Sequence, residues 1–247
     1  RVALPIIRLR RAIPLAARAD EAAEHVLAYL DRTPGVGQIA GALEIRCMER
    51  EIRWEGVGIN DHAGRPLLTD LSLAIPAGSQ TAIVASDCHT PLTVAGLFLR
   101  YHDPAAGRIL VDGTDLRSLT IRSLRQQIAF AAADGMLFTG LIADNIRCAR
   151  PDVSQDQIDD AARLCQVLEA IKDLRDGFAT MVGPGGTSVP ATVAFRIGLA
   201  RAAIGNPSVL IVQEPQAAAD ETEAQTIDTA LQQLRGGRTL IVIPSRL

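Results

Sequence analysis

The chain has 247 residues, 48% hydrophobic and 21% charged, with a formal net charge of −3. This suits one packed α/β domain plus a small extra segment, the composition of an ordinary packed globular protein. The acidic balance argues against a nucleic-acid partner, and 3% aromatic residues leave little to stack on single strands. Four scattered cysteines, Cys47, Cys88, Cys148 and Cys165, form no C-x-x-C pair; they indicate neither a disulfide framework nor a zinc site and fit a reducing setting.

The chain opens on Arg1 rather than Met and is expected to be part of something longer. Residues 1 to about 31 are expected to be helical, interrupted at Pro5 and Pro14, with Arg1, Arg8, Arg10, Arg11 and Arg18 ahead of Glu21, Glu24 and Asp31. Arginines followed by acids suit a helix leaving a membrane on its cytoplasmic side, and equally an ordinary solvated face. No stretch reaches the ~18 apolar residues of a membrane span. The Pro/Gly segment from Thr33 to Gly41 is the best domain boundary.

Short apolar strands follow. EIRWEGVGI (51–59) alternates, and LSLAI (71–75) leads through Pro-Ala-Gly, a hairpin-type connection, into QTAIVA (80–85). The β-branched run TAIVA predicts a strand buried on both faces. A short helix is expected from about Leu92 to Leu99, then a strand GRILVDG ending in an Asp-Gly turn, and SLTIRSLRQQIAF leads into another. The spacing predicts a helix over 154–174 with a Ser154/Gln157 capping box, and a second over 192–204. A buried strand over 208–215 with an acid at its carboxyl end, a helix over 221–235 and a last strand RTLIVIPSRL complete the pattern. Such an order predicts a parallel, helix-flanked sheet that binds ligands at the carboxyl ends of its strands.

The ordered segments LSLAIPAGSQTAIVA, LFLRYHDPAAGRILVDGTDLRSLTIRSLRQQIAF, LFTGLIADNI, IGLARAAIGNPSVLIVQEP and GRTLIVIPSRL are similar, in order and spacing, to ABC exporter nucleotide-binding domains. The resemblance implies an α/β fold of the P-loop NTPase type. It would have a mixed sheet with a parallel core, an antiparallel β subdomain, a helical subdomain over about 134–204 and a preceding N-terminal helix. Residues 1–41 would be the cytoplasmic extension of the last transmembrane helix with its linker, and 42–247 the nucleotide-binding-like domain. Family members continue with more strands and a closing helix, so the end at Leu247 reads as truncated.

The resemblance also implies where Mg²⁺·ATP would bind, and there the residues depart from the pattern. The phosphate loop G-x-x-x-x-G-K-[ST] corresponds to Ala85 through Thr93, with Ala85 and Thr90 at the glycines, Pro91 at the lysine and Leu92 at the first Mg²⁺-ligating hydroxyl. Cys88 lies inside this loop, Asp87 puts a carboxylate where the anion would sit, and only Thr93 is kept. Pro91 has no N–H to offer a phosphate. Asp61 falls at the adenine-stacking aromatic, Ala133 at the Q-loop glutamine, Gln213 at the Walker B aspartate and Ser245 at the switch histidine. The signature L-S-G-G-Q, which faces the partner subunit's γ-phosphate, is Val189-Pro190-Ala191-Thr192-Val193. Glu214 keeps the catalytic glutamate position and Asp220 the end of the D-loop.

Losing the lysine and the glycine cradle together removes roughly 4–6 kcal/mol, or about 10³–10⁴ in affinity. Glu214 is then a residual general base or, the preferred reading, a structural acid that caps or pairs with Arg238 or Arg201. His89 and His102 with Asp87 and Asp103 fit no known metal-ligand spacing, and no G-x-S-x-G elbow supports a hydrolase triad at Ser245. The expected function is a degenerate, pseudo-ATPase nucleotide-binding domain at the cytoplasmic face of the cell (inner) membrane. It would work with a transmembrane domain and a second ABC subunit, a competent heterodimer partner more than a second copy. A divergent active ATPase and a soluble interaction module are the alternatives.

Overall fold

The computed structural model describes residues 18–31, 35–61, 63–85, 87, 90–148, 150–216 and 221–245. The chain divides into two units, Arg1–Gly37 and Gln38–Leu247. In the first, residues 18–30 form helix α1, exposed along its length, with Val26, Leu27, Tyr29 and Leu30 all open to solvent. The expected helix upstream of residue 18, with its prolines and most of its arginines, lies outside the described residues.

The second unit opens with an antiparallel sheet of four strands in the order β2-β1-β4-β5: β1 (Glu51–Asn60), β2 (Pro66–Pro76), β4 (Ala106–Val111) and β5 (Thr114–Asp115). The Asp112-Gly113 turn joins β4 to β5 with φ of 50° and 88°, the left-handed pair a two-residue hairpin requires. A second sheet is parallel, in the order β3-β10-β9-β6: β3 (Gln80–Ala82), β6 (Ile128–Ala131), β9 (Val209–Gln213) and β10 (Thr239–Ile243). Helices α2 (Thr90–Phe98), α3 (Ile121–Gln127) and α8 (Glu221–Leu234) connect its strands. A helical layer comprises α4 (Ile142–Arg147), α5 (Gln155–Leu164), α6 (Leu168–Lys172) and α7 (Ala191–Ala203), with a two-stranded ribbon of β7 (Gly140–Leu141) and β8 (Met181–Val182).

Alternation along the parallel strands supplies two cores. Leu210, Val212, Leu240 and Val242 face α4–α8, whereas Val209, Ile211, Ile241 and Ile243 face the antiparallel sheet and α2. On that second side Trp54 of β1 meets Phe98 of α2 with ring centroids 5.0 Å apart, a tilted aromatic pair.

Three expectations are corrected. The Pro-Ala-Gly segment is a tight turn, with Ser79 N donating to Pro76 O at 3.2 Å, but it carries the chain between sheets: β2 and β3 do not pair. The run TAIVA is not doubly buried; β3 ends at Ala82, bonds only β10 among the described residues, and leaves Val84 51% exposed. The helix predicted over 154–174 is two helices. The capping box of Ser154 and Gln157 starts α5 as expected. At its end Gln166 turns left-handed (φ 55°), and Val167 N reaches back to Ala162 O at 2.9 Å, the bond of a Schellman stop.

Candidate functional site

The carboxyl ends of β3, β9 and β10 converge. Ile83 N donates to Val242 O at 2.8 Å and Glu214 N to Ile243 O at 2.9 Å, so the three strand ends stay level as they leave the sheet. Pro244 follows at once, and a residue without an N–H cannot prolong a central strand. Past this level the chains part around a cavity of about 270 Å³. Ile83, Val84, Ala85, Pro91, Ile243 and Pro244 give it apolar walls; Asp87, Gln213, Glu214, Gln216 and Ser245 are its polar groups. Among these lining residues none is basic.

Helix α2 points its N-terminus at the cavity, and the chain fills that N-terminus itself. Asp87 Oδ1 accepts the Thr90 N–H at 2.7 Å and Asp87 Oδ2 accepts the Thr90 hydroxyl at 2.7 Å. A carboxylate there is favoured by the orphan N–H groups and the helix dipole. Pro91 sits in the first turn, where proline's missing N–H costs nothing to the helix, and is buried. Both residues are good for the helix and poor for an external anion.

The cavity brings together Ala85, Asp87, Pro91, Gln213, Glu214 and Ser245 of the positions singled out from the sequence. Two further contacts tie the loops around it. The Gln213 side-chain oxygen accepts the Ala133 N–H at 3.3 Å, and Glu214 Oε2 accepts the Ser245 N–H at 3.4 Å. The expected pairing of Glu214 with Arg201 or Arg238 is therefore corrected. Arg201 donates to Asn145 O at 2.7 Å, Met136 O at 2.8 Å and Asn145 Oδ1 at 2.8 Å, with its guanidinium 4.7 Å from the Phe138 ring centroid. Arg238 donates to Asn206 Oδ1 at 2.9 Å.

Other predicted positions lie elsewhere. Thr93 is half-buried on α2, and Leu92 is 37% exposed on its outer side. Asp61 stands in the β1–β2 turn. Its Oδ1 accepts the N–H of Ala63 and of Arg65, both at 2.8 Å, and its Oδ2 the Arg65 Nε at 2.8 Å. It works as a turn former and does not line the cavity. Val189 and Pro190 precede α7, while Ala191, Thr192 and Val193 form its first turn, also away from the cavity. Cys88, His89 and Asp220 lie outside the described residues. Asp103 is bound to Arg100 at 2.9 Å, so it is committed to an ion pair rather than to His102. Cys165 is fully buried, and burial pushes its thiol up to about 12, which makes it inert at neutral pH. Sequence reasoning missed Gln216 and the apolar wall residues Ile83, Val84, Ile243 and Pro244, because which face of a strand end meets a cavity depends on the sheets around it.

Residues 68–217 match the ABC transporter family. The chain belongs to the ABC transporter family. Its mixed α/β architecture, with a parallel core, an antiparallel sheet and a helical layer, is the ATPase fold of that family. A solved structure of a bacterial Atm1-family ABC exporter with ATP bound superposes with a TM-score of 0.83 at 29% identity, covering 90% of this chain and 39% of that one. Among curated proteins, the ABC transporter ATP-binding protein YknV of Bacillus subtilis is 33% identical over 98% of this chain and 40% of its own length. The ATP-dependent lipid A-core flippase of Chromobacterium violaceum is 32% identical over 98% of this chain and 41% of its own. The chain thus spans about two fifths of these relatives. Among the described residues no helix is long and apolar enough to cross a membrane.

The described residues that line the cavity do not offer the cationic donors that Mg²⁺·ATP calls for. Among the described residues, a phosphate entering this cavity meets the carboxylate already seated at the α2 N-terminus, the Glu214 carboxylate on the same lining and no cationic side chain. A phosphate charge within ~4 Å of a carboxylate near a protein surface is opposed by on the order of 4 kcal/mol. That repulsion by itself amounts to about 10³ in affinity.

Proposed function

We propose that this chain is the nucleotide-binding domain of an ABC exporter whose own ATP site is degenerate, a pseudo-ATPase that serves transport beside a competent second subunit. The observation that carries the reading is the double acceptance by Asp87 from Thr90 at the head of α2, with Pro91 beside it and no basic residue among the described residues that line the cavity. In family terms Ala85, Cys88, Thr90, Pro91, Leu92 and Thr93 are the altered phosphate loop, and Asp61, Ala133, Gln213 and Ser245 the altered adenine, Q-loop, Walker B and switch positions. Val189 through Val193 are the altered signature and Asp220 the D-loop position. Glu214 keeps its place, but with no cationic phosphate donor among the described residues that line the cavity with it, it serves the structure through Ser245. The domain would lie on the cytoplasmic face of the membrane, joined to a transmembrane domain, and its partner's phosphate loop would supply any working nucleotide site. Retention of the fold around an unusable site supports a part that is moved rather than one that drives.

Calorimetric titration of the purified chain with Mg²⁺·ATP to millimolar nucleotide tests this. The expected result is no heat and no thermal stabilisation. Micromolar binding would overturn the reading in favour of a divergent but active ATPase.

A further inference from the structure

A polar network that the cavity does not use holds the start of α7. Thr192, 4% exposed, donates its hydroxyl to Glu223 Oε1 of α8 at 2.8 Å. Arg196, one turn along α7, donates Nε to the Thr192 carbonyl at 3.2 Å and Nη1 to the Gln166 carbonyl at the α5–α6 break, and its guanidinium is attracted by Glu223. The Gln166 amide in turn donates to Gln233 Oε1, toward the far end of α8, at 3.0 Å. Three elements are therefore joined through one circuit.

The circuit sits where the fold needs it. Pro190, the residue before α7, offers no side-chain cap, so the cap position itself adds no side-chain hold on the helix entry. The left-handed residue Gln166 presents its carbonyl to Arg196 and its amide to α8, which explains why the predicted long helix stops there. A buried hydroxyl and a half-buried guanidinium are tolerated only when satisfied, and removing one member leaves the others unpaired.

We propose that Glu223, Thr192, Arg196 and Gln166 form a latch that fixes the start of α7, and the segment 183–190 leading into it, to α8 and to the α5–α6 joint without any ligand. The inference rests on the pseudo-ATPase reading for its purpose: a segment held by the chain's own side chains can pass on a partner's movement without nucleotide. Glu223 is a positioning residue in this scheme, acting through Thr192 and Arg196.

Hydrogen–deuterium exchange on the full chain tests it. Thr192→Val keeps the shape and removes the hydroxyl, Thr192→Ser keeps the hydroxyl, and Glu223→Gln removes the charge. Val and Gln are each expected to raise exchange in the first turns of α7 and at 165–167 by about tenfold, Ser to change it little, and Val with Gln to do no more than either alone. Unchanged exchange in those two segments overturns the latch, as does an additive effect or an equal rise throughout β9 and β10. Protection of 85–93 in the unsubstituted chain on adding Mg²⁺·ATP would sink the pseudo-ATPase reading and leave the latch standing, so the two fail separately.

Discussion

Asp87 and Asp112 do the same physical work in two loops: a short carboxylate collects N–H groups that a turn leaves unpaired. Asp112 accepts from Glu49 N at 2.8 Å, Arg50 N at 2.8 Å and Glu51 N at 3.0 Å. Burial alone would push its carboxyl up, yet these donors and the Arg50 charge together hold it below the usual carboxylate range. Because the folded value is depressed, the stabilisation is complete above the unfolded value of about 4 and is lost as pH falls through the folded one. Asp112→Asn, which tolerates the left-handed backbone, is expected to cost about 1 kcal/mol at neutral pH and to flatten the acid limb of urea-midpoint measurements. At Asp87 the sequence shows a charge that opposes phosphate, but not that Thr90 is its partner. At Glu214 it offers two arginines as partners, and the fold gives it a backbone N–H instead, since the strand ends set what lies within reach.

Elements were most legible where the pattern is long or chemically marked. The capping box of α5, the hydrophobic run of β9 and the Asp-Gly turn after β4 all form where the residues place them. The break at Gln166 carries no such mark. A left-handed stop is usually glycine or asparagine, and here the hydrogen bonds to Arg196 and Gln233 hold a glutamine in it. Gly135 is the opposite case. It has φ 55°, and a Cβ there would stand 2.3 Å from Phe195 N and 2.4 Å from Ala194 C, both backbone atoms of α7. The turn after β6 thus lies directly on α7. Gly135→Ala is expected to cost at least about 3 kcal/mol, read as a lowered urea midpoint, because neither the turn nor the helix backbone can yield.

At the scale of the whole molecule, two cores on opposite faces of one parallel sheet position the cavity, and its groups arrive from three separate strand ends. Repairing one of them should therefore not restore the site. Pro91→Lys by itself is expected to leave the Mg²⁺·ATP titration flat, because the Asp87 carboxylate stays at the head of α2 and pairs with the new ammonium. Pro91→Lys with Asp87→Ser is expected to bring nucleotide binding into the millimolar range; binding by the single variant would show that the lysine alone was missing. By itself the sequence determined the α/β order, the family resemblance and the departures of its residues from the phosphate-loop pattern, because these reside in local residue types and their spacing. Only the tertiary structure decided that β3 is half-exposed and, among the described residues, pairs with β10 alone, that Asp61 is a turn former, that Glu214 bonds Ser245, and that α7 is tied to α8 through Thr192 and Glu223. Each of those depends on which distant segments meet, and a short polar side chain takes whatever partner the packing of the hydrophobic elements brings within about 3 Å.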